Sequence, residues 1–186
     1  MESRFYTSSG DDGYTGVLGA GRVAKETARI EALGTIDEAT AALGMARALC
    51  KSRQAGKLLL AVQRDLYHLM AEISATPENA VRFRQIDASR VTWLEEQTDS
   101  LAQQVETPRE FILPGDTPGG AALDLARAVV RRAERRAAGL LHQGEIENPD
   151  LLRYLNRLSS LCFVLELVES RTVRKSGPTL AKLISG

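Results

Sequence analysis

PGGAALDLARAVVRRAERRAAGLLHQ, residues 118–143, places Ala126, Val130, Ala133, Ala137 and Leu141 at three- and four-residue steps, the signature of one apolar helical face. Thr117 followed by Pro118 reads as an N-cap with proline in the first turn, and Gly144 closes the helix. Downstream, Asn148 and Pro149 open a second such helix, whose stripe of Leu151, Leu155, Leu158, Cys162 and Leu165 continues toward Ser176. A short tail after Gly177 is expected to fray.

Upstream the same period recurs three times. Ile36, Ala39, Leu43, Ala46 and Cys50 share a stripe that starts at Thr35, and Thr35 with Glu38 reads as a capping box. After a Ser/Gly break, Leu59, Val62, Leu66, Leu69, Met70 and Ile73 repeat the pattern as far as Thr76 and Pro77. Val91, Leu94, Leu101 and Val105 carry a weaker helix over roughly 88–106, interrupted by Thr98. No segment shows convincing period-two alternation. The expectation is therefore an all-α, five-helix bundle forming a single domain over 1–186, with residues 1–34 an irregular N-terminal segment.

Bulk properties narrow the function. Lys plus Arg and Asp plus Glu each number 24, giving zero formal charge, so the total points to neither a nucleic-acid nor an anionic-membrane partner. The apolar runs fall far short of the roughly 20 residues of a membrane span. Cys50 and Cys162 lie inside apolar helical patterns, as buried free thiols in a reducing compartment do, and a cytoplasmic location follows as the expectation.

The constellation richest in chemistry is on the 118–143 helix, where Arg127, Arg131 and Arg135 stand at successive four-residue steps and so share one face. Three guanidiniums in a row repel one another. On a solvated surface Asp124 and Glu134 can offset them; against a polyanion, planar guanidiniums grip phosphate oxygens in pairs. Thr7, Ser8, Ser9 and Gly10, then Thr15 and Gly16, supply hydroxyls and close backbone amides suited to an anion cradle, or form an ordinary loop. GVLGAGR, residues 16–22, lacks the terminal Lys-Ser/Thr of a Walker A loop. Asn156 lies off its helix's core stripe, which points to a hydrogen-bond partner or to open solvent. Neither His68 nor His142 has an ExxH partner, and no nucleophile, base and orienter set appears.

Taken together and in order, TSSGDDGYTG, ARIEALGTIDE, FILPG, ARAVVRRAERR and YLNRLS resemble the PduO-type ATP:cob(I)alamin adenosyltransferases. The resemblance implies a homotrimer with ATP bound between subunits. It implies that Thr7, Ser8, Ser9, Gly10, Thr15, Gly16 and Lys25 wrap the nucleotide, that Arg131, Glu134, Arg135 and Asn156 complete its site, and that Asp37 pairs across the interface with Arg127. Phe111 is implied to press toward the lower face of the corrin and exclude the lower axial ligand. The substrates implied are ATP, with Mg²⁺ on its phosphates, and cobalamin. The protein partners implied are a flavin reductase and an adenosylcobalamin-dependent acceptor enzyme. This chain departs from the family pattern at Asp12, where Lys is usual, and at Ser160, Glu166 and Leu167. The Asp12 departure motivates an alternative, a noncatalytic carrier or sensor built on the same bundle. A further alternative is a helical module that grips an acidic partner with its arginine row.

Overall fold

The structure, a computed structural model, describes residues 8–174 and 177–182. The four long helices are α1 (Ala28–Leu49), α2 (Arg53–Ser74), α5 (Pro118–His142) and α6 (Pro149–Arg174), with a shorter α4 (Ala88–Ala102). α5 lies at the centre, packed on α1 to one side and α6 to the other; α2 covers α1, and α4 covers α6. The five expected helices are therefore all present. A sixth, the single turn α3 (Pro77–Ala80), starts where Pro77 occupies the first helical position and Thr76 precedes it in extended conformation.

The apolar stripes meet in one continuous core. Ile36, Leu43, Leu59, Leu66, Val130, Leu155 and Leu158 are fully buried within it. On α5 the C-terminal end of the stripe turns slightly, so that Leu140 is buried where Leu141 was expected. Buried polar groups bridge the layers: Tyr154 on α6 donates to Asp65 on α2 at 2.5 Å, and Arg90 on α4 donates to the same carboxylate at 2.8 and 2.9 Å. Glu169 on α6 accepts from the backbone N–H groups of Lys51 and Ser52, closing the turn between α1 and α2. Gly119 makes this junction possible, because a Cβ there would sit 3.0 Å from Glu169 and 3.1 Å from the Cys50 backbone.

Three expectations are corrected. α1 begins at Ala28, seven residues before the expected Thr35, so Thr35 and Glu38 form no capping box. Thr35 is buried in mid-helix with its hydroxyl donating to the Glu31 carbonyl at 2.8 Å, and Glu38 faces α5 as the partner of Arg132. Second, the N-terminal segment holds an antiparallel pair, β1 (Tyr14–Gly16) and β2 (Arg22–Ala24); three-residue strands are too short to display alternation. Third, the tail over 177–182 is tied down: Leu113 donates to the Thr179 carbonyl at 2.8 Å and Ala181 to the Phe111 carbonyl at 2.7 Å.

Candidate active site

The segment from Gln103 to Thr117 leaves α4, turns through two prolines and a positive-φ Gly115, and enters α5. Thr117 caps that helix by accepting from Gly120 N–H at 2.9 Å. Between these anchors the FILPG turn holds Phe111 outward, 86% exposed despite its size. Asp116 fixes the base of the turn by accepting from the Thr179 backbone and hydroxyl at 2.8 and 2.7 Å, contacts that hold its carboxyl below the usual carboxylate range.

Phe111 forms one wall of an open cleft of about 560 Å³. The opposite wall is built from α5 and α6. Asp124, Arg127 and Arg131 come from the first helix; Ser159, Ser160, Phe163 and Val164 come from the second. The cleft is thus part apolar ring-binding surface and part guanidinium, within the size range of small-molecule sites. Ser160, one of the departures from the family pattern, lies directly on this wall.

The three arginines differ in what they hold. Arg127 is paired with Asp124 at 2.7 Å. Arg131 and Arg135 are exposed, and neither has a hydrogen bond or ion pair among the described residues. Beside them a chain of contacts crosses three helices: Arg157 on α6 donates to Glu95 on α4 and to the Asn156 Oδ1, both at 2.7 Å, and Asn156 donates to Glu134 on α5 at 2.8 Å. The off-stripe Asn156 therefore has its tertiary partners. Glu134 serves Asn156, while Asp124 alone neutralises one member of the arginine row.

Behind the cleft lies Glu166, 3% exposed, with Oε2 lacking a hydrogen-bond partner among the described residues. Burial pushes its carboxyl up to about 7; Asp124 and Asp116 add to the effect and Arg127 opposes it. Cys50 and Cys162 are both held as thiols, raised to about 12 by burial.

The N-terminal residues are gathered separately. Ser8–Gly10 form a tight turn, Thr15 and Gly16 belong to β1, and Lys25 follows β2 with its ammonium donating to the Gly10 carbonyl at 2.7 Å. Thr7 lies outside the described residues. Asp12, which stands where the family pattern has Lys, forms a two-pronged pair with Arg22 at 2.7 and 2.9 Å that braces the hairpin and lowers its pKa. The hairpin docks on the end of α2 through Leu18, which donates to Ser74 and accepts from Thr76. Gly19 fits there because a Cβ would strike the Thr76 side chain at 2.6 Å. No hydrogen bond or ion pair among the described residues joins 10–25 to Arg131, Glu134, Arg135 or Asn156. Asp37 stands exposed on α1, likewise without a partner among them.

Sequence reasoning overlooked Phe163, Val164 and Arg157. The signal was available: Ser160, Phe163 and Val164 follow Asn156 at four, seven and eight residues, one helical face.

Comparison with known proteins gives the site a context. The sequence profile described as cobalamin adenosyltransferase matches residues 5–169. The corrinoid adenosyltransferase of Mycobacterium tuberculosis (strain ATCC 25618 / H37Rv) is 41% identical over 172 residues, covering 89% of this chain and 88% of that protein. The corrinoid adenosyltransferase PduO of Citrobacter freundii is 35% identical over 172 residues, 92% of this chain. The chain spans about half the length of the PduO proteins it matches from C. freundii and Salmonella typhimurium, 51% and 49%. Among solved structures, a Phe-to-Ala variant of the PduO-type ATP:corrinoid adenosyltransferase from Lactobacillus reuteri, complexed with cobalamin and ATP, superposes with a TM-score of 0.85 at 28% identity, covering 97% of this chain and 100% of that one. An Arg-to-Lys variant of the enzyme from the same organism, complexed with ATP, gives 0.84 at 28% identity over 96% and 100%.

Proposed function

This chain belongs to the cobalamin adenosyltransferase family, and on that premise we propose that it transfers the 5′-deoxyadenosyl group of ATP to the cobalt of a Co(I) corrinoid, forming adenosylcobalamin and triphosphate. The observation that carries this reading is Arg131, a guanidinium without a partner among the described residues, on the wall of the same cleft into which Phe111 projects. A polyphosphate and a flat macrocycle are the two ligands such a cleft suits. In the reaction the cobalt electron pair forms a bond to C5′, the C5′–O bond breaks, and triphosphate leaves with its electron pair. The nucleophile belongs to the corrinoid, so the protein needs no covalent catalyst of its own. Its work is alignment and charge: Arg131 and Arg135 hold the phosphates, Asn156 is set in orientation between Arg157 and Glu134, and Phe111 presses on the corrin from below. Mg²⁺ enters with the nucleotide, bound mainly by phosphates and water.

A homotrimer completes the site in this reading. Ser8, Ser9, Gly10, Thr15, Gly16 and Lys25 of one protomer, with Thr7, wrap the nucleotide held on α5 of its neighbour, and Asp37 reaches the neighbour's Arg127. Two features support the arrangement: the separation within one chain of the N-terminal turn from the α5 face, and the exposed Asp37, which has no partner among the described residues. Arg127 keeps about a third of its side chain accessible while paired with Asp124.

The test is anaerobic mixing of the protein with ATP and Co(I) cobalamin, followed by visible absorption and triphosphate release. Many equivalents of adenosylcobalamin per site are expected. Binding of both ligands with no product beyond one equivalent would reject the enzyme in favour of a carrier.

A further inference from the structure

Glu166, one of the positions at which the chain departs from the family pattern, is buried on α6 against the start of α5. Gly120 makes room for it, since a Cβ there would lie 3.5 Å from the Glu166 Cγ. Asp124 and Arg127 follow Gly120 at four and seven residues and so share its face of α5. Both act electrostatically on Glu166 and on Cys162, one turn away on α6. Both also line the cleft. The Asp124–Arg127 pair therefore meets the cleft on one side and the buried carboxyl on the other.

The pair is incompletely committed. Arg127 directs Nε and Nη2 to a single oxygen of Asp124, at 2.8 and 2.7 Å, and Nη1 has no partner among the described residues. Glu166 Oε2 has none either, and a buried polar atom left unpaired is costly enough to need a reason. Other charged groups around the carboxyl are answered elsewhere. Asp116 is held by Arg174 and Thr179, and Glu169 by the backbone N–H groups of Lys51 and Ser52. Cys50 and Cys162 stay neutral thiols. One guanidinium is thus left facing two acids, Asp124 and Glu166.

We propose that Glu166 is a positioning residue for the reaction: as a neutral carboxyl it leaves Arg127 with Asp124 on the cleft wall, and as a carboxylate it draws the free Nη1 of Arg127 back between α5 and α6. Ionisation also adds an uncancelled negative charge one turn from Arg131, which weakens that side chain's hold on phosphates. The neutral form is therefore the working one. Burial, with Asp124 and Asp116 adding to it, puts the change of charge at about pH 7, where it bears on activity. The inference rests on the reading of the cleft as the site of adenosyl transfer and adds to it a proton that the wall must hold.

The test is the pH profile of kcat/KM for Co(I) cobalamin at saturating ATP, measured on the full chain. Wild type is expected to hold its value up to about pH 7 and to fall about tenfold per pH unit above it, as loss of one proton from the free enzyme requires. Glu166→Gln, a neutral isostere, should give a level profile that stands about tenfold above wild type at about pH 8. Glu166→Ala, with no proton to lose, should be level as well, and Glu166→Asp should bring a falling limb back. Titration of the ATP complex with Co(II) cobalamin, followed by absorption, should show the same contrast in Kd with no reduction step involved. A role in packing alone would alter the stability of the variants and leave the shape of the profile as in wild type. A level wild-type profile, a Gln variant inactive on the acid side, or a falling limb unchanged in both Gln and Ala variants overturns the positioning role and leaves the transfer reading standing. Wild type without turnover at any pH overturns both.

Discussion

Two pairs of arginines share α5 and a spacing of four residues, yet they meet opposite fates. Arg132 and Arg136 reach across to α1, where Glu38 and Glu31 receive them. Arg131 and Arg135, one step earlier along the helix, point to a face where no carboxylate among the described residues meets them. A single residue step turns a side chain by about 100°, and that turn separates charge neutralised by the fold from charge that the described residues leave unneutralised. Spacing alone cannot distinguish the two rows, because both satisfy the same four-residue rule. What distinguishes them is whether a neighbouring helix presents acid.

The sharpest way to break this comparison is to remove one unpaired member. Arg131→Ala is expected to lower kcat/KM by about 10²- to 10³-fold, as removal of a single preorganised charge contact in a transition state does. Its unfolding free energy should stay within about 0.5 kcal/mol of wild type, since among the described residues the exposed side chain makes no hydrogen bond or ion pair. Steady-state kinetics and thermal unfolding on the same preparation check both halves. Retained activity would remove the phosphate role from this row.

Arg127 belongs to neither class, being paired with Asp124 while Glu166 sits buried nearby. Below pH 4.5 the Glu166 carboxyl is protonated folded and unfolded, and costs nothing. Between 4.5 and about 7 the unfolded chain ionises first, so stability falls with rising pH and levels off above the folded value. Glu166→Gln should therefore leave stability unchanged at pH 4 and increase it by on the order of 2 kcal/mol at pH 8. Denaturant melts at the two pH values decide it, and an equal gain at both would show that the carboxyl is not titrating there.

Asn156 tests the link between the unpaired face and its scaffold. Asn156→Ala removes the donor to Glu134 and the acceptor for Arg157, and the KM for ATP should rise about tenfold, the worth of roughly one hydrogen bond to a charged group. A fall in kcat at constant KM would instead place Asn156 in the chemical step.

How much of this could be read from the sequence depends on where the partners lie. The stripes of α2, α5 and α6 were legible because their periodicity is local, and the arginine row because four-residue spacing is a property of one helix. The start of α1 was missed because Gly34 argues locally against helix, although residues 28–33 are mostly good helix formers, and burial of Ala32 and Thr35 against the core carries the helix through it. The Asp12–Arg22 pair was not legible because its two members lie ten residues apart across a hairpin too short to announce itself. Phe111 entered through the resemblance of its FILPG turn to the family, and its outward exposure required the fold. The Arg157 bridge to Glu95, 62 residues distant, required the fold.

The smallest expected effect closes the comparison from the other side. Arg132 and Arg136 carry as much formal charge as Arg131 and Arg135, so a general electrostatic role for α5 predicts that losing either pair damages catalysis alike. The local account differs: both partners in each α1 contact are about half exposed, and solvent screens such pairs to about 0–1 kcal/mol each. The double variant Arg132→Ala and Arg136→Ala should therefore lose no more than about 1 to 2 kcal/mol of stability, with kcat/KM within about threefold of wild type at saturating salt-matched ATP, a change under 1 kcal/mol. If its activity falls as far as that of Arg131→Ala, the net positive field of the helix matters more than which guanidinium is free, and the distinction between the two rows collapses.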